Sequence, residues 1–238
     1  MSGHVYNGTT WERVKTMHVW NGTVFEQVKE AWRWTGSGWE KLYAVPVAIF
    51  DDFNRANTTG DIGPLWTKVG TNSQITSNTY ATSGTTDGSR GIVTIGQINN
   101  DDGYVEAVMA TVNNTSDTSI MCRCNSDATQ GLSVNIFGDE IYLARFAHAS
   151  GLTAGNSGQG MTDIGANSGG SVPAGATVRC DFVGDHYVVK VNGATVIDVT
   201  DASVPRGVGY RHGAIRVERN PFQNSGAVNS FKLADIGA

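Results

Sequence analysis

From Ile49 onward, apolar and polar positions alternate in short runs with no 3.6-residue period, and turn residues separate nearly all of the runs. Alternation over four to eight residues marks half-buried strands. It predicts strands at 47–53, 91–98, 103–113, 118–124, 132–137, 140–147, 176–183, 186–192, 195–200, 207–217 and 227–235. The clearest hairpin is HYVVKV and ATVIDV joined by Asn192-Gly193, with GDH at 184–186 turning into its first strand. Short strands spaced this way predict an all-β fold, a two-sheet antiparallel sandwich. Ser150 to Gly175 is rich in Gly, Ser, Asn and Thr and is expected to be a long surface loop.

The first 45 residues follow a different pattern. VYNGTTWERVK at 5–15, VWNGTVFEQVK at 19–29 and a degenerate RWTGSGWEKLY at 33–43 repeat with a period of 14 residues. Tyr6, Trp20 and Trp34 are equivalent, as are Trp11, Phe25 and Trp39. Asn-Gly at 7–8 and 21–22 predicts a tight turn with positive φ at its centre, so each unit reads as a small hairpin. A lone hairpin cannot bury its aromatic face, so the units must pack on one another or on neighbouring chains. The six rings are therefore assembly candidates, with stacking on sugars as the alternative use.

Pro46 closes the repeats, and the boundary divides residues 1–45 from a larger domain at 46–238. That domain opens on IFDDFNRA at 49–56. Phe50 and Phe53 stand three apart and cannot both face inward on an unbroken strand, so a bend near Asp51 and Asp52 is expected.

Composition supports strands and narrows the partners. Only 16% of residues are charged and 30 are Gly. With a net charge of −5 and 17 scattered basic residues, nothing resembles a phosphate-neutralising surface, so no nucleic-acid partner is expected. No apolar run reaches the ~20 residues needed to cross a bilayer, and MSGHVYNG lacks the features of a cleaved signal. Membrane insertion and signal-directed export are not expected, and the NGT triplets are read as turns. Cys122, Cys124 and Cys180 are odd in number and lack zinc spacing. Cys122 and Cys124 would share one strand face as buried thiols, which suits a reducing cytoplasm.

No catalytic arrangement stands out. Closely spaced carboxylates of the ExDxxE kind are absent, as are HExxH and GxSxG. The chain is read as a non-enzyme, with no catalytic residue, no metal ligand and no cofactor. Asn99, Asn100, Asp101, Asp102 and Gly103 form an oxygen-rich cluster, but calcium needs six to eight oxygens from several segments and a turn uses the same residues. The densest mixture of aromatic and hydrogen-bonding side chains in the larger domain runs through Tyr210, Arg211, His212, Arg216, Arg219 and Asn220, followed by Phe222. A ring beside planar polar groups suits a glycan, so the first six are the candidate ligand-binding residues, although Tyr210 also fits a strand-end core position.

DDFNRAN, GPLW at 63–66, the GDHYVVKVNGATVIDVTD hairpin, GVGYR at 207–211 and the closing NSFKLADIG resemble the concanavalin A-like, laminin-G-like jelly roll. The resemblance covers about 49–238 and extends to versions in minor tail proteins of actinobacteriophages; short aromatic NG repeats are similar to segments of such proteins. It implies a jelly roll whose first and last strands lie side by side. It also implies a non-enzymatic virion component at the tail tip or fibre, assembled in the host cytoplasm. Such a component would be a homo-oligomer, with a trimer favoured, partnered by other tail proteins and by a host cell-surface glycan. The alternatives are a purely structural tail decoration and a polysaccharide depolymerase.

Overall fold

The computed structural model describes residues 4–6, 9, 11–13, 18–28, 30–153, 160–168, 171–220 and 222–237. Three hairpins come first. They pair β1 (His4–Tyr6) with β2 (Trp11–Arg13), β3 (His18–Trp20) with β4 (Phe25–Gln27), and β5 (Glu30–Trp34) with β6 (Trp39–Ala44). The 14-residue period becomes one register repeated three times, with Tyr6 opposite Trp11, Trp20 opposite Phe25 and Trp34 opposite Trp39. The turn differs from the expected two-residue form. Asn21 keeps negative φ and its Oδ1 accepts from the amides of Thr23 and Val24, both at 2.9 Å, while Gly22 takes φ 98°. The side-chain amide thus closes a four-residue loop that a second positive φ would otherwise have to make. The turn at Asn7 and Gly8 and the side chains of Tyr6 and Trp11 lie outside the described residues.

The larger unit is a jelly roll of sixteen strands: β7 (Ala48–Asp51), β8 (Trp66–Val69), β9 (Ser73–Thr76), β10 (Thr79–Thr82), β11 (Gly88–Thr94), β12 (Gly103–Met109), β13 (Thr118–Cys124), β14 (Gln130–Ile136), β15 (Glu140–Ala147), β16 (Met161–Ser168), β17 (Thr177–Val183), β18 (His186–Val191), β19 (Ala194–Thr200), β20 (His212–Asn220), β21 (Gln223–Asn224) and β22 (Val228–Asp235). The first sheet runs β19-β18-β17-β12-β22-β10-β9, with β7 also on β22. The second runs β16-β15-β14-β13-β20-β11-β8, with β21 also on β20. All pairings are antiparallel, and Ile49, Val105, Ile120, Leu143, Val189 and Phe231 belong to the buried core between the sheets.

β7 and β22 lie side by side, with Phe231 opposite Asp51 and Ala234 opposite Ala48. The strand stops at Asp51, whose Oδ1 accepts from the Phe53 amide at 2.8 Å, and Phe53 takes φ 52°. Phe50 is left exposed while Phe53 is wholly buried among Trp66 and Tyr80. Asp51 also accepts from Trp66 Nε1 at 2.6 Å and pairs with Arg55, so the bend is held by three donors.

Several elements depart from the strands that the alternation predicted. Ser150 to Gly175 is not wholly loop: Met161–Ser168 forms β16, an edge strand on β15 whose Gly165 packs against Ile197. Its Asp, Gly and Asn residues carry little strand propensity, and edge pairing supplies what propensity does not. β8, β9 and β10 are too short and polar to show a period. Residues 207–211 are a turn with a 3-10 segment at Val208–Tyr210, and the strand begins at His212. Arg123 has φ 50° at a bulge in β13. That bulge places Cys122 in the main core and Cys124 in a second cluster with Val93, Met121, Phe146 and Leu152 on the outer face of the second sheet, so the two thiols do not share a face. All three cysteines are free and buried. Contact with Cys122, then burial, pushes the Cys180 thiol well up.

Asp235, completely buried, accepts from the amides of Val47 (2.8 Å), Asn99 (3.1 Å) and Asn100 (2.8 Å). Hydrogen bonds to a charged group contribute about 1.5–3 kcal/mol each. Asp235→Ala should therefore lower unfolding free energy by about 3 kcal/mol or more; a urea midpoint equal to wild type would refute that role.

Candidate functional site

β20 carries most of the predicted ligand-binding residues because its alternation gives it two faces of different character. Ile215 and Val217 face the main core, whereas Ala214, Arg216 and Glu218 lie on the outer face of the second sheet. Nine residues at about 3.3 Å each span some 27 Å, so the six predicted residues cannot form one site. They divide between the two ends of the sandwich, with Arg216 between them.

At one end, Tyr210 Oη donates to Gln130 Oε1 at 3.0 Å, Arg211 Nε donates to Asp101 Oδ1 at 2.7 Å, and the His212 Nδ1–H donates to the Thr94 carbonyl at 2.8 Å. Arg123 lies in the same region and was not anticipated from sequence. Its guanidinium donates to Tyr187 Oη (2.7 Å) and to the carbonyls of Asp101 (3.1 Å) and Gly184 (2.6 Å), and sits over the rings of Phe182 and Tyr187. Burial pushes the Tyr187 phenol up to about 12 against the opposing pull of Arg123. The oxygen-rich cluster at 99–103 belongs here too. Asn99 Nδ2 donates to the Val45 carbonyl, Asp101 holds Arg211, and Asp102 accepts from the Gly184 amide at 2.9 Å. Its groups are thus used to join loops, and among the described residues no three His, Cys, Asp or Glu side chains are grouped for a metal.

The middle of β20 is a buried ion triad. Arg216 Nη1 lies 3.2 Å from Asp117 Oδ2, and Nη2 lies 3.0 Å from Glu218 Oε2 and 2.5 Å from Ser89 Oγ, all with essentially no solvent access. A polar row continues from it: the Ser119 hydroxyl lies 2.9 Å from Asp117 Oδ2 and 2.8 Å from Asn135 Oδ1, and Asn135 Nδ2 donates to the Met161 sulfur at 3.1 Å. The Arg216-x-Glu218 spacing was legible, since alternate residues share a face. Asp117 and Ser89 come from 99 and 127 positions away in the chain, and no local pattern reveals them.

At the far end, β20 and β21 form a hairpin against the 113–117 loop. Asn220 Nδ2 donates to the Thr115 carbonyl at 2.7 Å, Arg219 Nη1 donates to Asn224 Oδ1 at 2.7 Å, and Arg219 Nε lies 3.5 Å from Asp87. The Thr115 hydroxyl bridges Asn113 Oδ1 and the Gln223 side-chain amide. Arg219, Asn220, Gln223 and Asn224 flank the exposed Phe222 along the two strands of this hairpin.

The hairpin arm presents a second surface. The Trp20–Phe25 ring centroids are 5.1 Å apart and those of Trp34–Trp39 5.5 Å, and 54–71% of each of these four side chains is exposed.

No protein-family model matches the chain, and no curated protein matches it. Solved structures do. The carbohydrate binding module CBM66 from Bacillus subtilis superposes with a TM-score of 0.51 at 15% identity, over 72% of this chain and 92% of that one. The VIP36 exoplasmic/lumenal domain in its Ca2+/Man2-bound form gives 0.55 at 12% identity, over 78% and 86%. Beta-agarase A in complex with oligoagarose gives 0.54 at 12% identity, over 80% and 93%. At these identities the likeness establishes the jelly-roll fold.

Removing one member of a buried ion group leaves uncompensated charge at a cost of roughly 3–5 kcal/mol. Arg216→Met should lose that much stability in denaturant titration. A change below about 1 kcal/mol would mean that the triad does not hold β20 to β11 and β13.

Proposed function

We propose that this chain is a non-enzymatic, glycan-binding jelly roll carried on an aromatic hairpin arm, and that it serves as an adhesin at the tip or fibre of a phage tail. The observation that carries the reading is a contrast within one chain. The four buried carboxylates of the described sandwich are committed to cations and amides: Asp117 and Glu218 to Arg216, Asp51 to Arg55 and Trp66, and Asp235 to three backbone amides. The arm, in contrast, leaves both of its described ring pairs, Trp20–Phe25 and Trp34–Trp39, uncovered. Groups so committed suit a scaffold that presents surfaces, whereas acid and nucleophile carboxylates need open space between them for a glycosidic bond.

Glycan binding is supported by the fold, which is shared with a carbohydrate binding module and with a domain solved in a Ca2+/Man2-bound form. The tail assignment rests on the resemblance of DDFNRAN, GPLW, NSFKLADIG and the NG repeats to actinobacteriophage tail proteins. Depolymerase activity is the second reading, favoured by the shared fold of beta-agarase A, and release of reducing ends from envelope polysaccharide would establish it.

The arm would join copies of the chain, with a trimer favoured, and dock on other tail proteins. An aromatic side chain carries about 150–250 Å² of surface, so four rings exposed by half to two-thirds offer on the order of 500 Å². A standard interface needs about 800 Å² from each partner, which would draw in further exposed apolar residues of the arm, among them Val19, Val24 and Trp32. Replacing Trp20, Phe25, Trp34 and Trp39 by Ser in the full chain should reduce the oligomer to monomer in light scattering while leaving jelly-roll unfolding unchanged. A wild-type chain that is already monomeric at high concentration and does not bind tails would end the assembly reading.

A further inference from the structure

The two-residue loop between β20 and β21 contains Phe222, and its geometry is costly in two ways. Its φ is 71°, in the left-handed region that favours Gly, and a bulky aromatic residue there is strained. Its side chain is 91% exposed, the most exposed large apolar residue among those described, so no packing inside the chain offsets the strain. Asn220 and Gln223 pair across the hairpin, so the loop would close equally well with Gly at position 222. Nothing among the described residues accounts for an aromatic ring at this point.

The surroundings of the ring indicate what would. Arg219 Nη1, Asn220 Nδ2 and the Thr115 hydroxyl make hydrogen bonds that brace the tip, whereas Arg219 Nη2 and Asn224 Nδ2 have no acceptor among the described residues. An exposed apolar ring flanked along the hairpin by unused planar donors suits a pyranose, whose C–H face stacks on a ring while its oxygens accept from amide and guanidinium groups. A protein partner fits less well, because one ring exposes about 200 Å² against the ~800 Å² per side of a stable interface, and the flanking residues are polar.

We propose that Phe222 is the stacking platform of a glycan subsite at the β20–β21 tip, with Arg219 and Asn224, which pair across the hairpin and share a face, as its donors and the Arg216 triad farther along β20 as its support. The subsite rests on the glycan-binding reading above and gives it a location. Strain in the free protein is kept because Phe222 serves a ligand and not the fold.

The test is Phe222→Gly in the full chain, with Phe222→Trp beside it, assayed on an array of bacterial envelope oligosaccharides together with oligoagarose and mannobiose. Phe222→Gly should leave the melting midpoint unchanged or raise it by roughly 2 °C, because Gly relieves the strain. It should weaken binding about tenfold or more, while Phe222→Trp retains it. Wild type and Phe222→Gly binding the same glycan equally would overturn the subsite and leave glycan binding standing. Wild type binding nothing on the array would overturn the glycan reading and the subsite with it. A Phe222→Gly midpoint several degrees lower would assign the ring to the fold instead.

Discussion

The jelly roll depends on β22 more than on any other strand. It pairs with β12 along most of its length, with β7 through Phe231–Ala234 and with β10 through Val228, so three segments from distant parts of the chain meet on one strand. Asp235 completes it by drawing the Val47, Asn99 and Asn100 amides onto a single buried carboxylate. Buried amides left without acceptors are expensive, so this carboxylate fixes where the chain enters the sandwich and how the 99–103 loop leaves it.

The second sheet uses its buried polar groups differently. Arg216 gathers Asp117, Glu218 and Ser89 from β20 and its neighbours on the outer face. Such a group contributes little net stability when set against apolar packing, yet it tolerates only one alignment of strands. The strand it fixes ends in the hairpin that carries Phe222, so a rigid base lies under an exposed, strained tip. Ligand contacts placed on such a base lose less entropy on binding than contacts on a free loop.

Some of this was legible in single residues. The three-residue spacing of Phe50 and Phe53 predicted the bend that Asp51 makes, and the shared positions of Trp20 and Phe25, and of Trp34 and Trp39, predicted rings that meet across a hairpin. The six candidate ligand residues were read as one cluster because they lie close in sequence. In an extended strand, closeness in sequence means distance in space, and Tyr210 and Asn220 stand at opposite ends of the sandwich. Phe222 stood beside that group in the sequence, but its strain is a backbone property that composition does not carry.

What the sequence determined by itself was local: alternation placed most strands, Asn192-Gly193 placed the clearest turn, and the 14-residue period placed the aromatic pairs. These depend on periods and turn chemistry that need no partner element. The tertiary structure decided everything that joins distant positions: β16 as an edge strand, the bulge at Arg123 that separates Cys122 from Cys124, and the company of Arg216 and Asp235. Each of those depends on which strand lies alongside. In an antiparallel sandwich that choice is made by burial and hydrogen-bond satisfaction across a hundred residues or more, so no local window contains it.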